Sequence, residues 1–330
     1  MRARGPAFAL ALLAVPALAA DVPSHWREEW PDTDFAEAIV PLDEIRSGGP
    51  PKDGIPSIDD PRFAPVAVVG DDLGAEEPVM TVALGGDARA YPLRILMWHE
   101  IVNDTVGGRP VAVTYCPLCN SAIVFDRRVA GEVTTFGTTG KLRHSDLVMY
   151  DRASESWWQQ FDGRAIVGDH AGAELERVAA RLESLERFAE RHPDGRVLVP
   201  RDPDARAYGR NPYAGYDSAA RPFLYDGDYD GPGVPLMRVV TVDGVDRAWS
   251  LPLLRARGEI THGALVLRWE PGRRSALDAA RIAEGRDVGN VTVVRRTEGG
   301  TEPAVYDVPF AFAFRAFHPD APIAHLEDAG

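Results

Sequence analysis

The fold is decided by a twelve-residue stretch with the sequence VALGGDARAYPL, at residues 82–93. Its apolar run, its Gly85-Gly86 pair and the Arg-Ala-aromatic pattern that follows are typical of a β hairpin. The stretch VTVDGVDRAWSL at residues 240–251 matches it without gaps. A repeated supersecondary unit indicates a repeated architecture. We therefore expect an α+β, β-dominated protein in which two related β-rich halves pack together.

Shifts in composition divide the rest of the chain. Residues 21–65 are rich in Pro and Gly, which predicts an extended N-terminal arm, and apolar anchors for it are Trp26, Trp30, Phe35, Ile39 and Ile45. A helix is expected within residues 173–191, with Ser184 as its N-cap. The five predicted segments are a signal peptide (1–20), the arm (21–65), a first β-rich half (66–168), a helix-and-loop insertion (169–235) and a second β-rich half without cysteines (236–330).

The N-terminus has the pattern of an export signal. Arg2 and Arg4 precede an apolar run at residues 7–15, and the small-residue sequence Ala17-Leu18-Ala19 follows. This order predicts a signal peptide cleaved near Ala19 or Ala20, because the run is too short for a stable membrane anchor. We therefore expect a soluble periplasmic or secreted protein. The 36 basic and 50 acidic residues give a net charge of −14, which disfavours nucleic acid as a partner.

The chain has two cysteines, Cys116 and Cys119, in the sequence Tyr-Cys-Pro-Leu-Cys-Asn. The proline fixes one backbone angle of the turn, and Asn120 is among the few non-glycine residues that tolerate positive φ. Two thiolates that converge in this way suit zinc or copper, which need further ligands. Candidate additional ligands are His99, His144 and, for copper(I), Met149.

Other interpretations of the cysteine pair stay open at this stage. A thiol–disulfide oxidoreductase would use Cys116 as the attacking thiolate and Cys119 as the resolving thiol. Residues 121–125 have the pattern of a strand, however, whereas thioredoxin-like proteins continue the motif as a helix. The pair could instead form a structural disulfide in a non-catalytic binding scaffold. A lone cysteine nucleophile would need His99 or His144 as its base.

Several longer motifs make the chain resemble a known family of exported bacterial proteins, the domain of unknown function 3179 family. The motifs span roughly residues 30–325 and are listed here in chain order: Gly48 to Pro56, Ala90 to Leu93, His99 to Asp104, Tyr115 to Ser121, Met149 to Asp151, Ser156 with Trp158 and Gln160, Tyr208 to Tyr216, and Phe312 to Pro319. The resemblance implies one family-wide unit and a shared site at His99, Cys116 and Cys119. It implies no activity, since the family has none assigned.

Overall fold

The computed structural model describes residues 22–326, so the predicted signal peptide lies outside the described residues. Strand accounts for 38% of the structure and helix for 16%, which confirms the β-dominated α+β class. The described part of the chain has six short α helices, which are, in order, α1 (Ser24–Glu29), α2 (Val66–Leu73), α3 (Leu93–His99), α4 (Leu185–Arg191), α5 (Leu251–Arg257) and α6 (Ala311–Phe317).

The strands fall into two series that meet near residue 200. Those before it are β1 (Ile45–Ser47), β2 (Arg62–Pro65), β3 (Pro78–Leu84), β4 (Asp87–Pro92), β5 (Ile101–Val106), β6 (Arg109–Cys116), β7 (Ser121–Asp126), β8 (Arg128–Val129), β9 (Glu132–Val133), β10 (Phe136–Arg143), β11 (Asp146–Asp151), β12 (Trp157–Gln159), β13 (Ala165–Val167), β14 (Arg181–Ser184) and β15 (Arg196–Val199). Those after it are β16 (Val239–Val242), β17 (Ala248–Ser250), β18 (Glu259–His262), β19 (Leu265–Glu270), β20 (Asn290–Thr297), β21 (Gly300–Pro303), β22 (Tyr306–Asp307) and β23 (Ile323–Ala324).

Both series build the same sheet. In the first, the order is β14-β3-β4-β15-β2, with β14 antiparallel to β3 and β15 parallel to β4. In the second, the order is β22-β16-β17-β23, with β22 antiparallel to β16 and β23 parallel to β17. Each central hairpin leads into a seven-residue helix and then a meander, which is β5-β6-β7 in one half and β18-β19-β20-β21 in the other.

The matching crossovers change the expected boundary of the first half. Helix α4 connects β14 to β15 and is followed by the sequence His192-Pro193-Asp194, while α6 connects β22 to β23 and is followed by His318-Pro319-Asp320. Ser184 is the N-cap residue of α4, although its side chain makes no capping hydrogen bond. The segment 169–235 is therefore not wholly an insertion, because β14 and β15 complete the sheet of the first half. A local sequence pattern could not show this, because the pairing partners of these strands lie about 100 residues earlier in the chain.

The two hairpins pair in the same way, apart from a small offset in their first strands. Thr81 pairs with Ala90 in one half, and Thr241 pairs with Ala248 in the other. The gapless alignment of the sequence therefore holds for the second strand and the helix, while the first strand is displaced by two residues. The displacement arises because the first hairpin closes through Gly85-Gly86 and pairs along its whole length, whereas the shorter second hairpin opens into a loop.

The equivalence extends to the end of the following helix. Glu100 (φ 58°, ψ −33°) ends α3 and Gly258 (φ 68°, ψ −41°) ends α5. The carbonyl of Glu100 accepts the Tyr115 N–H at 2.8 Å, and that of Gly258 accepts the Trp269 N–H at 2.9 Å. One position further on, Cys116 corresponds to Glu270, the last residue of β19.

The N-terminal arm is anchored by aromatic residues on the sheet β1-β10-β11-β12-β13. Trp26, Trp30 and Phe35 are buried and pack edge-on around Trp157, with ring centroids 5.1–5.3 Å apart. Ile45 is also buried, but Ile39 is 46% exposed, so it is not the anchor the sequence predicted. The arm thus fixes the sheet whose strand β11 begins at the candidate site.

Candidate metal centre

The cysteine motif forms a tight hairpin loop between β6 and β7. Cys116 pairs with Ser121 across the ladder, and the four residues between them turn the chain. Asn120 has φ 50°, as predicted, and its N–H donates to the Pro117 carbonyl at 3.2 Å. Its side-chain amide donates to the Val308 carbonyl at 2.7 Å. Because β7 follows the motif directly, the arrangement differs from the strand-to-helix position of a thioredoxin-like dithiol.

Both cysteines are free thiols within the core that the two halves share, with exposures of 2% and 0%. The Cys116 thiol donates to the Ser145 carbonyl at 3.7 Å, and the Cys119 carbonyl accepts the Phe310 N–H at 2.8 Å. Burial raises the pKa of Cys116 and raises that of Cys119 well above its ordinary value. A buried thiol without a cation nearby is inert toward nucleophilic chemistry.

A carboxylate completes the cluster. Asp146, the first residue of β11, has a carboxylate oxygen that lies with the two sulfurs in one group, all within 4.8 Å of one another. Its Oδ2 accepts the Gln159 amide at 2.6 Å and the Phe161 N–H at 2.9 Å. Its Oδ1 is buried and has no regular hydrogen-bond partner among the described residues, although the carboxyl group interacts with both thiols and so affects their pKa. Burial raises the pKa of Asp146 to about 7.

The turn before Asp146 is strained. His144 (φ 53°) and Ser145 (φ 66°) form the two-residue loop between β10 and β11. Two successive positive φ angles define a type I′ turn, which normally selects Asn and Gly. Non-glycine residues in this region cost of order 1–3 kcal/mol each. The strained turn directs the Ser145 carbonyl to Cys116 and places Asp146 beside both sulfurs.

A second buried carboxyl group belongs to Glu100, the residue that ends α3 and whose backbone carbonyl bonds to β6. Glu100 is 8% exposed, and no side-chain hydrogen bond to it is found within residues 22–326. Burial and, to a smaller extent, the charge of Asp146 raise its pKa to about 8. Its charge in turn raises the pKa of Cys116. Glu100 therefore belongs electrostatically to the cluster although it is not one of the three grouped ligands.

The cluster is covered by the loop that follows β15. The Tyr216 hydroxyl donates to the Leu118 carbonyl at 2.9 Å and accepts the Phe223 N–H at 3.2 Å. The Ser145 hydroxyl donates to the Phe223 carbonyl at 2.5 Å. These hydrogen bonds attach residues 216–223, here called the cover segment, to both turns that carry the ligands.

Both predicted histidine ligands, His99 and His144, have polar partners outside the cluster. The Nδ1–H of His99 donates to the Pro56 carbonyl at 2.8 Å, which leaves Nε2 to accept the Tyr208 hydroxyl at 2.8 Å. The Nε2 of His144 lies 3.5 Å from a Glu44 carboxylate oxygen. Neither imidazole belongs to the group formed by the two sulfurs and Asp146. Burial is the main cause that lowers the pKa of both histidines.

Met149 lies three residues beyond Asp146 on β11 and is fully buried. Its side chain belongs to the same apolar core as Cys116 and Cys119, but within residues 22–326 no contact to either sulfur assigns it as a ligand. Sequence reasoning thus found two residues of the cluster, Cys116 and Cys119, and missed Asp146 and Glu100. A single acidic residue at the start of a strand or the end of a helix carries no spacing signal, so no local pattern distinguishes these two.

The fold and the buried dithiol–carboxylate cluster define a β-dominated protein with an internal duplication and one differentiated centre. The chain belongs to the family described as "Protein of unknown function (DUF3179)", whose sequence profile matches residues 52–321 and covers most of the chain. No curated protein and no solved structure matches the chain. Within residues 22–326 there is no helix both long and apolar enough to cross a membrane.

Proposed function

We propose that this protein binds a transition metal, zinc in preference to copper(I), through Cys116, Cys119 and Asp146. The observation that carries the proposal is the convergence of two buried sulfurs and one buried, partly unpartnered carboxylate within 4.8 Å. Zinc bonds of about 2.0–2.3 Å place the ligand atoms roughly within 4 Å of one another. A small inward movement of the three side chains suffices to reach that geometry.

The electrostatics of the cluster also support a cation. Besides burial, the charges of Asp146 and Glu100 raise the pKa of Cys116. The charge of Asp146 likewise raises the pKa of Glu100. Burying several acidic groups together is costly unless they stay protonated or share a positive charge. A divalent ion reverses this situation, because it deprotonates the thiols and lowers the pKa of the carboxyl groups.

The donor set distinguishes between the two metals that the sequence suggested. Copper(I) prefers thiolate and thioether sulfur, whereas zinc accepts a carboxylate oxygen beside cysteine. The carboxylate of Asp146 beside the two sulfurs favours zinc. The buried carboxyl group of Glu100, whose charge acts on Cys116, is our candidate for a fourth ligand. Its coordination would give the closed shell that is typical of structural zinc sites.

The same features disfavour a thiol oxidoreductase. An attacking thiolate requires a lowered pKa and access to its substrate, whereas burial raises the pKa of both thiols. The expected location of the metal site is the periplasm or the outside of the cell, because the N-terminal sequence has the features of a signal peptide.

The experiment that tests the proposal is elemental analysis of protein purified from the periplasm of an expression host, together with competition against a zinc-binding dye. We expect one zinc per chain, and a loss of most of it in Cys119→Ser and Asp146→Asn. His99→Gln is the matched control, since it removes the other predicted ligand and should retain zinc. Equal zinc contents in all four proteins, or a higher copper content, would refute the assignment, and a titratable disulfide in metal-free protein would favour the oxidoreductase.

A further inference from the structure

The second half has a turn that corresponds to the cysteine motif, but charged residues stand at the positions of the two cysteines. The hydrogen bonds from Tyr115 and Trp269 to the preceding helix ends align the sequence CPLCNSA, from residue 116, with EPGRRSA, from residue 270. The proline, the serine and the alanine are retained. Glu270 stands at the position of Cys116, and Arg273 stands at that of Cys119.

Arg273 is a buried cation with an incomplete set of partners. It is 2% exposed, its Nε–H donates to the Gly289 carbonyl at 2.7 Å, and its buried Nη2 has no partner among residues 22–326. Burial and the nearby charge of Arg238 lower the pKa of Arg273 to about 10. The second half thus holds a buried guanidinium group with an incomplete set of partners at the position where the first half holds the Cys119 thiol.

Arg238 connects this turn to a cavity. Its Nη2–H groups donate to Ser275 Oγ at 2.8 Å and to Asp217 Oδ2 at 3.0 Å. It is 6% exposed and lines a cavity of about 460 Å³ beside the turn. The cavity wall combines three arginines with apolar side chains, represented by Arg238, Arg255, Arg286, Met237, Leu251 and Val288.

The two aspartates of the cavity wall are already engaged. Asp217 accepts the Ser275 hydroxyl and pairs with Arg238 and Arg286. Asp287 accepts backbone N–H groups from the turn, including that of Gly272 at 3.1 Å. Arg255 is exposed and lies over the Trp269 ring at 5.1 Å, and its charge helps to lower the pKa of Asp287. The three arginines of the cavity wall outnumber its two aspartates, so a net positive charge remains there in a chain of net charge −14.

We infer that this cavity binds a small organic anion, a carboxylate with a short apolar body. A guanidinium group matches a carboxylate through two parallel hydrogen bonds. The apolar part of the wall would exclude water from the rest of the ligand. The inference stands on the arginines and the cavity, and it does not depend on metal binding at the first turn.

The test is isothermal titration of the purified protein with hexanoate, acetate, hexanol and inorganic phosphate as probes. We expect hexanoate to bind more tightly than the other three, because it alone combines the charge with an apolar body. Arg255→Gln should raise the dissociation constant for hexanoate about tenfold. Arg257→Gln is the matched control, since Arg257 lies on the same helix and is exposed but does not line the cavity.

Cys119→Ser should bind hexanoate as the unmodified protein does, which separates this site from the metal site. Equal affinity of Arg255→Gln and the unmodified protein would overturn the inference. So would hexanol or acetate binding as tightly as hexanoate, or phosphate binding more tightly.

Discussion

Glu100 and Gly258 occupy the same position in the two halves of the protein, with φ angles of 58° and 68° at the ends of α3 and α5. The Glu100 carbonyl accepts the N–H of Tyr115, the penultimate residue of β6. The Gly258 carbonyl accepts the N–H of Trp269, the penultimate residue of β19. Glycine adopts this conformation without steric cost, whereas glutamate does not. The first half thus retains a strained, buried acid where the second half shows that glycine suffices, and this contrast supports a role for the Glu100 carboxyl group in the centre.

Replacing Glu100 by glycine should separate stability from metal binding. Glu100→Gly removes the strain and the buried carboxyl group, so we expect the metal-free protein to gain about 1 kcal/mol in its free energy of unfolding. Zinc affinity should fall at least tenfold if Glu100 is the fourth ligand. Urea unfolding in a chelator and dye competition measure the two quantities.

Glu100→Gln provides the comparison, because it keeps the strained backbone and removes only the charge. It should weaken zinc binding without the gain in stability. Zinc affinity that is unchanged in both variants would exclude Glu100 from the coordination shell.

Ionisation of Glu100 and Asp146 should destabilise the metal-free protein as pH rises. Burial raises the pKa of Glu100 from 4.5 to about 8 and that of Asp146 from 3.8 to about 7. Between these limits the folded state holds protons that the unfolded state has lost, so raising the pH favours unfolding. The contribution of these two groups to the free energy of unfolding is fully present below about pH 4 and is lost as pH approaches about 8. Unfolding curves measured across this range in a chelator test the prediction.

Asp146→Asn, which cannot ionise, should flatten part of this dependence, while saturating zinc should reverse it, because zinc binds the deprotonated ligands. The same slope in the unmodified protein and in Asp146→Asn would contradict the assignment of the titration to this carboxyl group.

The cover segment should limit access to the thiols. Tyr216→Phe removes the hydroxyl that joins the Leu118 carbonyl to the Phe223 N–H. We expect a thiol reagent to modify Cys116 and Cys119 several-fold faster in the metal-free variant, because local opening needs fewer hydrogen bonds to break. The rate of absorbance change with a chromogenic disulfide measures this.

Tyr229→Phe is the matched control, since its hydroxyl also donates to a backbone carbonyl, that of Pro232, but away from the ligand turns. Equal rates of modification in both variants would show that the cover segment does not control access.

The conformation of the cysteine turn depends on Asn120. Asn120→Ala removes the donor to the Val308 carbonyl and places a residue without a polar side chain at φ 50°. We expect a loss of about 2 kcal/mol in the free energy of unfolding. Asn120→Gly should lose less, because glycine restores the backbone preference although it lacks the amide. Urea unfolding of both variants checks the order, and a greater loss for glycine than for alanine would contradict the argument.

The repeated hairpin, the cysteine turn and the aromatic anchors of the arm could be predicted from the sequence because each is a local pattern. Gly85-Gly86 marks a turn, and Asn120 after Cys-Pro-Leu-Cys marks a residue with positive φ. Trp26 and Trp30 are large apolar side chains that must be buried somewhere. The helix within residues 173–191 was also recognised, but its role as the crossover of the first sheet was not, because β14 and β15 form their hydrogen bonds with distant strands.

The sequence by itself determined that the protein is β-dominated, that it has related halves, and that two thiols converge at a proline turn, because periodicity and turn chemistry are encoded over a few residues. Only the tertiary structure decided what meets those thiols. His99 is nearby in sequence, yet hydrogen bonds to Pro56 and Tyr208 hold its ring elsewhere. Asp146 reaches the sulfurs because a strained turn and the pairing of β10 with β11 place it there, and contacts of that kind depend on how separate sheets pack against each other.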